Sequence, residues 1–187
     1  MKCNPPSGSH LAYSRERIAD RLRQLGPVVS KWVGEAQAKT RTPVLAVCVL
    51  RGAAFFFTDL LRELTVSVEP TYCRTWGYSS ETNERTGGAV RVAVDDVVAE
   101  GRALLVVDDI CDTGATLSKL KHVFLDLGAS EVKTCVLIHR VLHPAVFTPD
   151  WCAFEHHGSE WFLGYGMEDK NQFSNLPAVY LLKQSSS

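Results

Sequence analysis

The chain alternates between short, continuous apolar runs and longer segments whose apolar residues recur at helical spacing. Continuous runs of this kind are typical of buried parallel strands, and the longer segments are typical of amphipathic helices. Ser14 is placed to cap the first helix, and Gly26-Pro27 is a candidate break within it. The predicted helices span residues 14–38, 53–64 and 117–127, and the predicted strands span 44–50, 66–75, 90–94, 104–107, 132–138, 151–154, 161–163 and 178–182.

Strands separated by helices predict one α/β domain over residues 1–187, built on an open, mostly parallel twisted sheet with helices on both faces. Residues 1–10 carry two prolines, a glycine and no periodicity, which predicts a loose N-terminal tail. Residues 76–89 are polar and rich in glycine, and two interpretations stay open for them. They form either a hairpin tip without a role or a mobile flap that closes over an active site.

The composition excludes several classes of function. Hydrophobic residues make up 45% of the chain and charged residues 22%, which is ordinary for a soluble globular protein. The formal net charge of −1 offers no general attraction to nucleic acid or to an anionic membrane, and no apolar run reaches the length of about 18 residues of a spanning helix. Six scattered cysteines without a C-x-x-C pair favour a reducing cytoplasm and no disulfides.

The most informative stretch is LLVVDDICDTGATL at residues 104–117, where an apolar strand is followed by acids, a polar turn and a helix. A strand, glycine-containing turn and helix together aim backbone N–H groups and a helix N-terminus at an anion. Thr113 and Thr116 add hydroxyl donors, and Gly114 allows close approach of a phosphate. The alternative is an ordinary turn capped by Asp112, but a capping turn needs neither the further acids nor the pair of threonines.

Asp108 and Asp109 follow where this strand is predicted to end. Adjacent acids beside an anion site repel a phosphate unless a hydroxyl or a cation lies between them. A ribose diol and a Mg²⁺ ion both meet that requirement, because Mg²⁺ takes oxygen ligands and bridges carboxylates to phosphates. The loop is therefore predicted to hold a sugar phosphate.

A second junction between a strand and a helix lies at Arg51-Gly52, directly after the strand at 44–50. Glycine permits close approach of the backbone to an anion, and arginine supplies a forked donor for phosphate oxygens. Ligands of open α/β sheets bind at the carboxyl ends of the strands, so this pair is a candidate phosphate site.

These residues carry a resemblance to a known family. The stretch at 104–117 resembles the 5-phosphoribosyl-1-pyrophosphate (PRPP) binding motif of type I phosphoribosyltransferases. The stretch CVLRGAAFFFTDLL at 48–61 resembles the pyrophosphate-binding loop of hypoxanthine-guanine phosphoribosyltransferases, in which the peptide corresponding to Leu50–Arg51 can be cis. The resemblance spans about residues 44–182 and implies the type I phosphoribosyltransferase fold. It further implies a small hood from residues 151–187 and a flap that includes Gly77 and Tyr78.

The resemblance implies a purine salvage reaction in which PRPP and hypoxanthine or guanine give IMP or GMP and pyrophosphate. It assigns the ribose 5-phosphate to Asp108, Asp109, Asp112, Thr113, Gly114, Ala115 and Thr116, and the pyrophosphate to Arg51 and Gly52. Asp112 stands where the family has its proton-positioning aspartate, near the purine N7. Mg²⁺ is the implied cofactor, with Asp108, Asp109 and Glu168 as its candidate ligands.

The base pocket departs from the family pattern. Trp161 or Phe162 is a candidate to stack on the purine, and His139 stands where the family has the lysine that binds the 6-oxo group. Glu168 replaces an aspartate that lies near the metal and the base, and Ser174 replaces an arginine that binds pyrophosphate. The resemblance also implies a homodimer or homotetramer, with no nucleic acid or membrane partner.

Two other functions remain open at this stage. One is a regulator with this fold that binds RNA and senses pyrimidine nucleotides, with uracil phosphoribosyltransferase activity. Such a regulator is expected to carry a basic face, whereas the lysines and arginines here are spread along the chain. The other is a non-catalytic binding module, suggested by His139 and Ser174, although the three acids of the central loop are all present.

Overall fold

The computed structural model describes residues 3–76, 91–94, 97–141 and 146–182. Every predicted helix and strand is present in these residues, with ends that shift by up to four residues. One strand, β1, is not predicted by the sequence pattern. The elements are β1 Ser9–Tyr13, α1 Arg15–Thr40, β2 Leu45–Leu50, α2 Ala54–Glu63, β3 Glu69–Trp76, β4 Arg91–Ala93, β5 Ala103–Cys111, α3 Ala115–Asp126, β6 Glu131–Arg140, β7 Trp151–His156, β8 Trp161–Leu163 and β9 Val179–Leu182.

The main sheet has the strand order β4-β3-β2-β5-β6-β7. β3, β2, β5, β6 and β7 run parallel to one another, and β4 pairs antiparallel with β3 at the edge. Alternate residues of β5 pack on opposite faces: Leu105 and Val107 join the core under α1 and α2, whereas Leu104 and Val106 join the core under α3. The predicted mostly parallel sheet with helices on both faces is therefore confirmed.

The first helix differs from its prediction at Pro27. Ser14 caps α1 as predicted, since its hydroxyl accepts a hydrogen bond from the Arg17 N–H at 3.2 Å. The predicted break at Gly26-Pro27 is wrong, because α1 continues to Thr40 with Pro27 inside it. Gly26 lies so close to the backbone of Glu63 that a Cβ there would overlap it, so α1 packs tightly on α2 at this point. Buried contacts along α1 thus compensate for the hydrogen bond that proline removes.

A second, three-stranded antiparallel sheet has the order β1-β9-β8. Ser9 pairs with Leu182 and His10 with Leu181, so the prediction of a loose tail over residues 1–10 is wrong at residues 9–10. The predicted hood over 151–187 is likewise wrong at its start, because Trp151–His156 is β7, a strand of the main sheet. We call the small sheet, together with the connections 157–160 and 164–178, the hood. It forms where chain segments far apart in sequence meet.

Two further points concern the predicted site. β5 does not end before the acids but runs on through Asp108 and Asp109 to Cys111. The predicted flap residues Gly77 and Tyr78 lie outside the described residues.

None of the described helices is long and apolar enough to cross a membrane.

Candidate active site

The predicted site residues gather at one edge of the main sheet. Arg51 and Gly52 follow β2 directly. Asp108 and Asp109 lie near the carboxyl end of β5, and His139 and Arg140 are the last two residues of β6. Because these three strands are neighbours and parallel, their carboxyl ends lie side by side. The hood contributes Glu168 to the same place, where it contacts Arg51.

Asp108, which is buried, and Asp109, which is half-buried, form an acid pair. Asp108 is 6% exposed, and its Oδ1 accepts the Asp109 N–H at 2.9 Å. Asp109 Oδ1 accepts the Ile110 N–H at 2.9 Å. Burial, with the neighbouring charge of Asp109, raises the pKa of Asp108 well above its ordinary value, and burial also raises the pKa of Asp109. Neither acid can offset the negative charge of the other. A cation at this position, or a diol that donates hydrogen bonds, would stabilise both carboxylates.

Gly52 brings the loop after β2 against this acid pair. A Cβ at Gly52 would overlap the carboxylate of Asp109, and a Cβ at Gly166 in the hood would overlap the carbonyl oxygen of Gly52. Glycine at both positions therefore lets three separate chain segments meet at van der Waals distance. The Leu50–Arg51 peptide bond beside them is cis, which confirms the geometry implied by the resemblance.

The turn from β5 into α3 is the place of the predicted anion site. Gly114 has a φ of 80° at the N-cap of α3, and a Cβ there would lie 2.6 Å from the Cβ of Phe147. Thr113 Oγ1 accepts the Ala115 N–H at 3.4 Å. The first turn of α3 carries no acidic side chain, and its N–H groups lack acceptors within the helix. These N–H groups and the positive end of the helix dipole suit a phosphate.

Asp112 is held by an arginine that sequence reasoning did not place in the site. Arg140 Nε lies 2.9 Å from Asp112 Oδ1. The same guanidinium donates to the Glu160 carbonyl at 2.9 Å and to the Gly158 carbonyl, and Arg140 is only 8% exposed. The sequence signal for Arg140 is its place at the carboxyl end of a buried strand, which resembles the place of Arg51 after β2.

Arg51 is paired with the hood. Its guanidinium donates to a Glu168 carboxylate oxygen and to Asn171 Oδ1 at 3.1 Å. Asn171 is a second residue that sequence reasoning missed. The three predicted metal ligands do not converge in the described structure: one ligand atom from each of Asp108, Asp109 and Glu168 cannot be chosen so that all three lie within 4.8 Å of one another. Glu168 instead neutralises the arginine predicted to bind pyrophosphate.

The predicted base-pocket residues lie in different surroundings. Phe162 is 3% exposed, and the Arg140 guanidinium carbon lies 5.0 Å from the centre of its ring. Trp161 is half-buried, and its Nε1–H donates to the Glu168 carbonyl at 3.1 Å. His139 is 8% exposed and opposite Glu155 of β7 in the strand register. Of the two candidate stacking residues, Trp161 is the one with a partly accessible ring.

Comparisons with known proteins agree with this geometry. Residues 20–146 match the family model described as "Phosphoribosyl transferase domain". The chain is 31% identical over 176 residues to a hypoxanthine-guanine-xanthine phosphoribosyltransferase of Tritrichomonas foetus, with 92% of this chain and 91% of that protein covered. It is 30% identical over 172 residues to a hypoxanthine-guanine phosphoribosyltransferase of Lactococcus lactis, with 91% and 88% covered.

A solved structure of a hypoxanthine-guanine-xanthine phosphoribosyltransferase has a similar fold. It superposes with a TM-score of 0.74 at 28% sequence identity and covers 94% of this chain and 97% of that one. The similarity thus extends over the main sheet and the hood together, not over the central loop alone.

Proposed function

The chain belongs to the phosphoribosyl transferase family, and from that premise we propose that it transfers the 5-phosphoribosyl group of PRPP to hypoxanthine or guanine. The products are IMP or GMP and pyrophosphate, as expected for purine salvage. The observation that carries the proposal is the acid pair of buried Asp108 and half-buried Asp109 beside the N-terminus of α3, which has no side-chain cap. The names of the relatives support a 6-oxopurine as the acceptor.

The sugar phosphate has a natural orientation in this arrangement. The 5-phosphate accepts hydrogen bonds from the first N–H groups of α3 and from the Thr113 and Thr116 hydroxyls, with Gly114 and Ala115 providing backbone. Asp108 and Asp109 then accept hydrogen bonds from the ribose hydroxyls. Arg51 and Gly52 face the pyrophosphate, and Arg51 must exchange Glu168 for a phosphate oxygen when PRPP binds.

The acid pair also fits Mg²⁺, because two buried carboxylates with raised pKa values are stabilised in their charged form by a cation. Mg²⁺ supplies neutralisation of the charge that develops on the leaving pyrophosphate. Asp108 and Asp109 are its proposed protein ligands, with substrate oxygens completing the coordination. Glu168 contributes only after it leaves Arg51.

Asp112 is proposed to manage the proton of the purine at N7. Arg140 holds its carboxylate through Oδ1 at 2.9 Å. Since Arg140 is itself fixed by two hood carbonyls, the carboxylate is oriented before the substrate arrives. The positive charge that grows on the ribose in the transition state is stabilised by the carboxylates around it.

The base is proposed to lie between Trp161 and the end of β6. His139 donates to the 6-oxo oxygen in place of the family's lysine, and Phe162 supports the pocket from its buried position beside Arg140. The flap with Gly77 and Tyr78 is proposed to exclude water during transfer. We further propose a cytoplasmic homodimer or homotetramer that binds neither nucleic acid nor membrane.

The deciding experiment is a spectrophotometric assay with PRPP and Mg²⁺ against hypoxanthine, guanine, xanthine, adenine and uracil. Turnover of a 6-oxopurine is the expected result. Turnover of uracil alone would instead favour the pyrimidine-sensing regulator. No turnover with any of the five bases would contradict the proposal and favour a non-catalytic binding module.

A further inference from the structure

Three potential metal ligands converge between β6 and β7, beside the site described above. A ring nitrogen of His139, Sγ of Cys152 and a carboxylate oxygen of Glu155 all lie within 4.8 Å of one another. No other group of three such ligand atoms occurs in the described part of the chain. From this geometry we infer that His139, Cys152 and Glu155 form a binding site for Zn²⁺.

The strand pairing places two of the three groups side by side. His139 is opposite Glu155 in the parallel register of β6 and β7, and Cys152, three residues before Glu155 on β7, is opposite Val136. β6, which carries His139, is paired with β5 on one side and with β7 on the other, so its backbone is held on both sides. Sites on strands hold a ligand geometry better than sites on loops.

The three side chains have no competing partners in the described structure. Within those residues, no hydrogen bond or ion pair engages the His139 ring, the Cys152 thiol or the Glu155 carboxylate. Neighbouring polar groups are paired: His156 Nε2 lies 3.0 Å from Glu160 Oε2, and Arg140 donates to two carbonyls. The contrast indicates that the trio is available to a ligand while its surroundings are satisfied.

The chemistry of the trio selects the metal. A thiolate and an imidazole are ligands of Zn²⁺, whereas Mg²⁺ takes oxygen ligands almost exclusively. Bond lengths of about 2.0–2.3 Å place neighbouring ligands of tetrahedral Zn²⁺ roughly 3.5 Å apart. The three ligand atoms, which lie within 4.8 Å of one another, would have to move closer together when the ion binds.

Access and charge are also compatible with a metal. His139 is 8% exposed, Cys152 is half-buried and Glu155 is exposed. Cys152 and Glu155 line a groove of about 510 Å³, which provides an entry path and room for water as a fourth ligand. Arg17 and Arg21 line the same groove and oppose a cation there. The negative charges of a thiolate and a carboxylate offset that repulsion.

Occupation of the site has a consequence that rests on the proposed function. His139 is the residue assigned to the 6-oxo group of the purine, and a metal on its ring nitrogen holds the imidazole against β7. Zn²⁺ is therefore expected to raise the apparent KM for the purine base while leaving the KM for PRPP nearly unchanged. Zinc bound to these three residues would therefore weaken the binding of the purine base.

The test is binding of Zn²⁺ and of Co²⁺, its spectroscopic substitute, to the reduced full-length protein in excess Mg²⁺. The excess Mg²⁺ fills sites made only of carboxylates, so that Zn²⁺ or Co²⁺ is measured at a site that includes a thiolate. We expect one equivalent of Co²⁺ to give a thiolate-to-cobalt charge-transfer band in the near ultraviolet. Cys152→Ser should abolish that band and weaken Zn²⁺ binding by more than about tenfold, a loss seen even for outer-shell partners of metal sites.

Cys3→Ser is the matched control, because Cys3 is an exposed free thiol that a metal would find without any built site. It should leave the band and the affinity unchanged. Glu155→Gln, at an exposed position, should keep the band but weaken binding. The inference is wrong if the wild-type protein gives no band, or if Cys152→Ser binds Zn²⁺ as tightly as the wild type does.

Inhibition is measured separately, with the base as the varied substrate. Zn²⁺ should inhibit the wild type and Cys3→Ser but not Cys152→Ser, and equal inhibition of all three would break the link to His139. The binding experiment uses no substrate, so a protein without transferase activity would refute the proposed function and leave the metal result intact.

Discussion

The half of the site that we assign to the sugar phosphate is contiguous in sequence, whereas the half that we assign to the base is not. Asp108 through Thr116 supplies the first half from one strand, one turn and one helix start. The base half combines β6 with hood segments, joined through Arg140, Trp161 and Glu168. Local geometry decides the first half and tertiary contacts decide the second, so mutations in the two halves should have different consequences.

The largest expected effect lies where the two halves meet, at Asp112. Asp112→Asn should lower kcat/KM by about 10²–10⁴-fold, the usual contribution of a positioned acid or base. The free energy of unfolding should change much less, since Asp112 is only partly buried. Turnover and thermal unfolding of the same preparation check both statements.

Asp126→Asn, at the exposed C-terminal end of α3, is the control for Asp112→Asn. It should leave the rate unchanged. A rate loss in Asp112→Asn below about tenfold would contradict the role of Asp112 in proton transfer.

Gly52→Ala should disrupt the sugar-phosphate half by sterics alone. Its Cβ would overlap the Asp109 carboxylate, so either the acid or the loop must shift. We expect a loss of about 1–3 kcal/mol in the free energy of unfolding, the usual cost of overpacking, together with a raised KM for PRPP.

Gly34→Ala is matched to Gly52→Ala, because nothing lies within 4 Å of a Cβ at that position in α1. It should stabilise the protein by about 0.5–1 kcal/mol through helix propensity. Equal effects of the two substitutions in denaturant melts would show that Asp109 does not restrict position 52.

Asp108→Asn should separate stability from function. The pKa of Asp108 is raised in the folded protein, so the folded state binds more protons than the unfolded state once the pH exceeds about 4. The wild type therefore loses stability as the pH rises through the folded pKa, and the variant does not. We expect the variant to be more stable at neutral pH by about 1–2 kcal/mol, the cost of an incompletely satisfied buried group, and to bind PRPP more weakly.

Asp150→Asn is the contrasting acid. Asp150 accepts from Lys133 Nζ at 2.7 Å and from the Thr134 N–H at 2.9 Å, so its substitution should destabilise the protein.

The raised pKa values at Asp108 and Asp109 also predict that Mg²⁺-dependent PRPP binding strengthens as the pH rises, because the cation competes with protons. Calorimetric titration at several pH values measures this, and pH-independent affinity would count against the acid pair as the cation site.

The smallest effect is expected at Glu168 in the base half. Arg51 and Glu168 have side chains that are 59% and 29% exposed, and exposed ion pairs contribute less than about 1 kcal/mol. Glu168→Gln should therefore barely change the melting temperature. It should lower the KM for PRPP modestly, because Arg51 no longer has to leave a carboxylate before it binds pyrophosphate.

Arg62→Gln, which breaks another exposed pair, should change neither quantity. A higher KM for PRPP in Glu168→Gln would instead support Glu168 as a metal ligand in the complex.

The α/β alternation, the buried strands and the run from Asp108 to Thr116 were readable from the sequence, because hydrophobic period and turn chemistry act over short distances. For the same reason Ser14 could be identified as a helix cap. Pro27 was misread because its effect depends on the contact between Gly26 and Glu63, which are far apart in sequence. Ser9 and His10 were misread because an edge strand with little apolar pattern forms only when β9 is beside it.

The base half shows the same limit at the level of single side chains. The sequence indicated that His139 and Arg140 end a strand at the edge of the site, but not which of them contacts Asp112. That choice depends on where the hood carbonyls of Gly158 and Glu160 lie, since they fix the guanidinium of Arg140. Likewise, the register of β6 and β7 decides that His139 lies opposite Glu155. Local pattern determines which residues lie at the site edge, and the packing of distant segments determines what each side chain touches there.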